Sequence, residues 1–188
     1  MMKKILCLIL ACLLCSFARI SCNKEENEYV AIEVDGYGTI IARLRPDVAP
    51  TTVENFQKLV SEKFYDGLIF HRVIEDFMIQ GGGFDENMIQ KDADSIYGEF
   101  KANGFAQNDL QHTRGVLSMA RTPLPNSASS QFFICHADST FLDGQYAAFG
   151  EVVSGMEVVD AIATVSTDEN DQPLQNIVIT SIYFTTLE

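Results

Sequence analysis

Phe70-His71-Arg72-Val73-Ile74-Glu75-Asp76-Phe77-Met78-Ile79-Gln80-Gly81-Gly82-Gly83 sets a guanidinium, several large apolar side chains and a carboxamide side by side, then closes on a glycine run. Phe70–Ile74 and Phe77–Gln80 read as short strands on either side of a polar Glu75-Asp76 break. With side chains alternating along a strand, Phe70 and Ile74 flank Arg72 on its own face, so the guanidinium is expected among apolar neighbours. Met78 and Gln80 share a face as well. Phe77 faces away from Met78 on a regular strand, and the two line one pocket only if Glu75-Asp76 form a turn and the strand begins after Phe77. The glycines follow a strand without opening a helix, which excludes a dinucleotide-binding loop.

Outward from this stretch the pattern stays mainly β. Tyr29–Val34 and Thr39–Leu44 flank the turn Asp35-Gly36-Tyr37-Gly38 and predict a hairpin. Further strands are expected at Gly115–Met119, Gln131–Cys135, Ala147–Val152 and Ile177–Phe184. A helix is expected to open at Pro50-Thr51, with Thr51 and Glu54 at capping-box spacing. Val53, Phe56, Val60 and Phe64 recur on its inner face, and Asp66-Gly67 is its expected end. A second helix is predicted over Met156–Thr164. On Gln131–Cys135, Gln131 and Phe133 share one face, and Phe132 and Ile134 the other.

The chain has 188 residues, with 13 Lys and Arg against 26 Asp and Glu, a formal net charge of −13. That charge argues against nucleic acid and anionic lipid surfaces as partners. Met1-Met2-Lys3-Lys4 before the apolar run Ile5–Phe17 reads as an export signal. The run is shorter than the roughly 20 apolar residues of a membrane span. Four of the five cysteines fall in this region, so no disulfide framework is expected. Cys22, after Ile20-Ser21 and before the polar Asn23–Glu28, stands like the lipid-modified cysteine of a bacterial lipoprotein, although Arg19 occupies a place where Leu is usual. A plain secretory signal and an uncleaved anchor are the alternatives. The expected organisation is a signal peptide over 1–21, a lipidated cysteine and tether over 22–28, and one folded domain over 29–188. The expected address is the cell envelope, as a periplasmic, outer-membrane or surface lipoprotein. Cys135, the one thiol of the folded part, reads as a small buried hydrophobe.

No ordinary catalytic set is visible. The histidines His71, His112 and His136 are far apart, and no CxxC or HExxH offers a metal site. No GxSxG marks a serine nucleophile, and no phosphate-binding loop occurs. No cofactor and no metal are indicated. What remains is an apolar surface carrying a few polar groups.

Phe70–Gly83, then Leu117-Ser118-Met119-Ala120-Arg121, then Ser130-Gln131-Phe132-Phe133-Ile134 resemble, in order and spacing, the cyclophilin family of peptidyl-prolyl cis/trans isomerases, over nearly all of Tyr29–Glu188. Arg121-Thr122-Pro123 and Asn126–Gln131 resemble its bacterial branch. The resemblance implies a closed eight-stranded antiparallel β-barrel capped by two α-helices, and rotation about X–Pro bonds of proline-containing polypeptides. It implies Arg72 as the catalytic arginine and Phe77, Met78, Phe133 and Leu142 as the proline pocket. Gln80, Ala120 and Gln131 match the groove for the substrate backbone. Arg121, Phe141 and Tyr146 complete the rim, where well-studied eukaryotic members have Asn, Trp and His.

The chemistry such a site needs is consistent with these residues. Rotation about a peptide bond must break amide resonance, against a barrier of about 18–20 kcal/mol. In the twisted transition state the prolyl nitrogen gains a lone pair. A fixed donor bonding that nitrogen stabilises the transition state over the ground state, with no nucleophile or proton transfer. An always-charged, rigidly forked guanidinium suits the role. The leading expectation is an exported, monomeric isomerase that assists the folding of exported proteins. A non-catalytic module binding proline-containing segments and a holdase-type chaperone are the alternatives.

Overall fold

Buried residues concentrate in the strands, and the segments Val116–Met119 and Phe132–Cys135 are buried throughout. A computed structural model describes residues 28–187. The export signal, Cys22 and the rest of the tether before Glu28 lie outside the described residues. Strands β1 (Tyr29–Val34) and β2 (Gly38–Leu44) form the expected hairpin, paired from Tyr29↔Arg43 to Val34↔Gly38. Helix α1 (Pro50–Ser61) leads to β3 (Leu68–Ile74) and β4 (Met78–Asp85). Then come β5 (Val116–Met119), β6 (Phe132–Cys135), β7 (Ala148–Ser154), α2 (Met156–Ala163) and β8 (Ile179–Thr185).

All pairings are antiparallel, in one sheet of order β3-β4-β6-β5-β7-β2-β1-β8. The edge strands β3 and β8 approach each other without a regular ladder. Ile69 bridges Val178, Gly67 N–H donates to Ile179 O, and Phe70 N–H donates to Ile177 O, the last two at 2.9 Å. The expected closed barrel is therefore met only in part, as an open half-barrel whose edges touch at one seam. The β3–β4 ladder carries two register shifts, between Leu68 and Phe70 and between Phe70 and Arg72. Each such irregularity bends the strand locally and changes which way its side chains point.

The same bulges overturn the expectation that Phe70 shares a face with Arg72. Phe70 and Val73 both point into the main core, whereas Ile74 packs on a separate outer cluster. At the centre of the core, the Phe56 ring of α1 lies 5.2 Å from Tyr65, 5.6 Å from Phe132 and 5.1 Å from Phe149. Rings tilted or edge-on at such distances favour one another beyond their burial.

Helix α1 begins with Pro50 in its first turn, where a missing N–H costs nothing, and buries Val53, Phe56, Leu59 and Val60. The Thr51–Glu54 capping box does not form, since Ala49 is the N-cap and no side chain of the helix start caps it. The orphan donors go instead to Glu99, from a distant loop. Its Oε1 accepts from Thr51 N–H at 3.0 Å, and its Oε2 accepts from Thr52 N–H at 2.8 Å and Thr52 Oγ1 at 2.7 Å. A carboxylate is well matched to the positive end of a helix. The helix also stops at Ser61, ahead of the expected Asp66-Gly67, because Lys63 takes a left-handed conformation at φ 53° and turns Phe64 back onto the core. Helix α2 starts from Gly155 at φ 86°, where a Cβ would lie 2.3 Å from Thr39 O, so only glycine fits.

Glu99 is 1% exposed, and its removal leaves the N–H groups of Thr51 and Thr52, the latter buried, and the Thr52 hydroxyl without that partner. Glu99→Ala is expected to destabilise the domain by about 2 kcal/mol, the upper end for a lost N-cap. Urea denaturation of the variant against wild type measures it, and a change under about 0.5 kcal/mol would contradict the capping role.

Candidate active site

The register of the sheet aligns the polar and aromatic candidates. Arg72 of β3 pairs with Gln80 of β4, Gln80 with Phe133 of β6, Phe133 with Ser118 of β5, and Ser118 with Ala148 of β7. One row of side chains thus crosses five adjacent strands. Two strand steps of about 4.8 Å separate Arg72 from Phe133. The next row joins Ile74, Met78 and Cys135.

Around Phe133 a second apolar cluster forms outside the core. Met78, Val116, Phe133, Cys135, Leu142 and Ala148 are buried in it, with Ile74, Phe77, Leu110, Ala120 and Tyr146 packed alongside. Phe77 joins Met78 here because β4 begins only at Met78. The chain turns through Asp76 at φ 58°, and Phe77 N–H donates to Ile74 O at 3.2 Å. Leu142 and Phe141 come from a short 3-10 turn, Thr140–Leu142. Leu142 is buried, whereas Phe141 is 65% exposed, its ring 5.5 Å from that of Phe77 at the rim. Tyr146 meets Phe133 edge-on at 6.0 Å. Cys135 is a buried free thiol whose pKa burial pushes up to about 12, so it is a packing residue with no nucleophilic character.

Beside this cluster lies a polar recess. Gln80 Nε2 donates to Gln131 Oε1 at 2.9 Å. The two carboxamides border a cavity of about 260 Å³ that Gln90, Ala120, Arg121 and Ser129 also line. Gly83 makes room for Gln131, since a Cβ there would lie 2.4 Å from Gln131 Cγ. Arg121 is fixed in place: Nε and Nη2 donate to Gln145 O, and the guanidinium lies over Tyr146 at 4.6 Å and Phe100 at 4.9 Å. It forms a wall of the recess and carries its charge over two aromatic faces.

Arg72 is not surrounded by apolar side chains as expected. Its Nε donates to Asp171 Oδ2 at 3.3 Å and Nη2 lies 3.2 Å from the same oxygen, with both side chains about four-tenths exposed. The bulge next to Phe70 removes one expected neighbour, and the loop before β8 brings in the carboxylate. The strands of the sheet therefore position Arg72, Met78, Gln80 and Phe133. The segments just outside strand ends position Phe77, Ala120, Arg121, Gln131, Phe141, Leu142 and Tyr146.

The sequence also gave no hint of a polar line beneath the floor. His112 is wholly buried and stacked on Phe133 with ring centroids 6.1 Å apart. Its Nδ1 lies 3.0 Å from Asp143 Oδ1 and its Nε2 2.9 Å from Ser118 Oγ. An acidic partner at Nδ1 fixes the proton there and leaves Nε2 to accept from the serine. Serine, histidine and aspartate are thus aligned as in a hydrolase, but Ser118 is 0% exposed and no substrate can reach it. The line instead ties Asp143, next to the Leu142 wall, to β5. Nothing but proximity of Ser118 to the Leu117–Arg121 motif could have pointed to it. Among the described residues no group of His, Cys, Asp and Glu is arranged to hold a metal.

Residues 29–184 match the model of the family described as cyclophilin type peptidyl-prolyl cis-trans isomerase/CLD. A peptidyl-prolyl cis-trans isomerase of Acinetobacter baylyi is 44% identical over 173 residues, covering 87% of this chain and 88% of that protein. Peptidyl-prolyl cis-trans isomerase A of Dickeya dadantii is 49% identical over 145 residues, 74% of this chain and 73% of its own. Among solved structures, a cyclophilin type isomerase of Cryptosporidium parvum in the presence of the dipeptide Ala-Pro superposes with a TM-score of 0.74 at 28% identity. The match covers 85% of this chain and 99% of that one.

His71, beside Arg72, gives the domain a measurable pH response. Burial pushes its pKa from 6.5 down to about 4, partly offset by the Ile69 backbone and the Gln131 side chain. The unfolded chain therefore binds the proton more readily between pH 6.5 and about 4, and stability falls as pH drops through that window. His71→Gln is expected to reduce the fall in Tm between pH 7 and pH 4.5 relative to wild type. Parallel pH profiles of the two proteins would contradict it.

Proposed function

The chain belongs to the cyclophilin-type peptidyl-prolyl cis-trans isomerase family and is a peptidyl-prolyl isomerase, and on that premise we propose how its residues divide the work. The observation that carries the reading is the row Arg72–Gln80–Phe133 on one face of three neighbouring strands. The pyrrolidine ring enters the apolar cluster over Phe133, between Met78, Leu142 and Phe77. The carboxamides of Gln80 and Gln131, with the backbone near Ala120, hold the peptide on one side of the proline, so only the other side turns. Arg72 donates to the prolyl nitrogen as resonance is lost. Phe141, Arg121 and Tyr146 shape the rim.

A ten-thousandfold acceleration corresponds to roughly 5.5 kcal/mol. One charge-assisted hydrogen bond supplies about 1.5–3 kcal/mol, so exclusion of water and selection of a twisted peptide supply the remainder. The seam at Ile69 and Val178 supports a sheet that behaves as a closed barrel, giving the row a rigid base.

Arg72 lies at the surface, so Arg72→Ala should fold normally. It is expected to lower kcat/KM on an X–Pro tetrapeptide at least about tenfold, or 1.4 kcal/mol. A folded variant with wild-type activity in a protease-free isomerisation assay would remove Arg72 from the mechanism.

The reading extends to the protein's place of work. Residues 1–21 act as an export signal, and Cys22 carries lipid that holds the domain at the cell envelope, where exported proline-containing chains are its substrates. The acidic Asn23–Glu28 segment serves as a tether to a monomeric domain. Each buried lipid CH2 contributes about 0.8 kcal/mol, so a cysteine bearing several acyl chains stays in the membrane. Cys22→Ser is expected to release the protein from the membrane fraction or to accumulate as precursor. Mass spectrometry of the native protein finding an unmodified N-terminus at another residue would exclude the anchor.

A further inference from the structure

Arg72 is a long, half-exposed side chain, and a donor that must meet a transient lone pair works only if it is held still beforehand. Among the described residues, one side chain engages its guanidinium, that of Asp171, 99 positions further along the chain. The loop carrying Asp171 is built with unusual care for a surface turn. Asp168 Oδ1 accepts from the N–H groups of Asn170 at 2.8 Å and Gln172 at 2.9 Å. Asp168 N–H donates to Gln172 O at 2.9 Å, and Thr167 bridges Pro173. At the tip Asp171 takes φ 64°, and its own carbonyl accepts from Val73 N–H at 2.8 Å. The loop is therefore clipped by its backbone to β3 one residue past Arg72, and its carboxylate is delivered to the guanidinium.

Resting on the role given to Arg72 above, we propose that Asp171 is the positioning residue of this isomerase. It grips the Nε and Nη2 edge of the Arg72 fork and leaves Nη1, which makes no hydrogen bond among the described residues, for the prolyl nitrogen. The pair is too exposed to add much to stability, since such ion pairs contribute little. The backbone clip to Val73, independent of the side chain, already secures the loop. The effect of the carboxylate falls on the arginine, whose rotamers it biases toward the one seen before substrate arrives. A group that acts in this way changes kcat and leaves KM nearly unchanged, because ground-state binding is made by the apolar pocket and the carboxamides.

The left-handed backbone at Asp171 selects the variants. Glycine and asparagine both adopt φ 64° with little strain, so Asp171→Gly removes the side chain and Asp171→Asn keeps an acceptor oxygen without disturbing the loop. The experiment measures kcat and KM on an X–Pro tetrapeptide for wild type, D171G, D171N, Arg72→Ala and the double variant of Arg72→Ala with Asp171→Gly. The expected result is an about fivefold lower kcat for D171G with KM within about twofold, and more than about half of wild-type kcat for D171N. In the Arg72→Ala background the glycine should cost nothing further, the signature of two residues acting through one group. Wild-type kcat in D171G, or an equal loss in both backgrounds, would overturn the positioning role while leaving Arg72 in place. Wild-type activity of Arg72→Ala itself would overturn the assignment of Arg72 and the inference with it.

Discussion

Strand β6 has four residues, and adjacent residues on a strand must face opposite ways. Phe132 and Phe133 turn that constraint into the whole design. Phe132 points inward, where it meets Phe56 edge-on at 5.6 Å, Tyr65 at 5.7 Å and Phe70 at 6.1 Å. Phe133 points outward and packs in the second apolar cluster. One strand therefore belongs to two clusters, and its partners on either side follow: Gln80 and Met78 on β4, Ser118 on β5. A slip of one residue would exchange the two rings and move every candidate on these strands to the wrong face. Packing of the core thus fixes the register of the site.

Around this frame carboxylates act as clamps on distant segments. Glu99 caps α1, Asp143 bonds both the backbone N–H and the ring of His112, and Asp171 holds Arg72. Glu99 and Asp171 each tie a loop to a regular element, and Asp143 ties its loop to the segment of His112 before β5. A chain with net charge −13 has acidic side chains to place, and these three are placed where backbone or cationic donors converge. Of the three, Asp143 and Asp171 lie beside the candidate site and Glu99 at the start of α1.

Much of the architecture was legible in the residues. The hairpin β1–β2 followed from alternation around a Gly-containing turn, and α2 from its apolar spacing. The start of β4 after Phe77 followed from asking how Phe77 and Met78 could share a pocket. These are local properties, set within a few residues by side-chain period and turn chemistry. The order and spacing of the Phe70–Gly83, Leu117–Arg121 and Ser130–Ile134 segments identified the family.

Some departures are local, as where Lys63 ends α1 early, but others involve partners far apart in the chain. The capping box at Thr51 and Glu54 had the right spacing, yet Glu99 reached the same N–H groups first, because the fold brings a buried carboxylate to that end of α1. Strict alternation put Phe70 beside Arg72, and bulges invisible in the sequence reversed it. Asp171 and the His112 line carried no signal, since hydrogen bonds across 99 positions, or from a loop residue to Asp143 and Ser118, depend on how the loops close. Periodicity and motif spacing by themselves determined where most strands run and what family the chain joins. Only the tertiary structure decided what holds those residues in place, because the energy of a clamp is realised when distant segments meet.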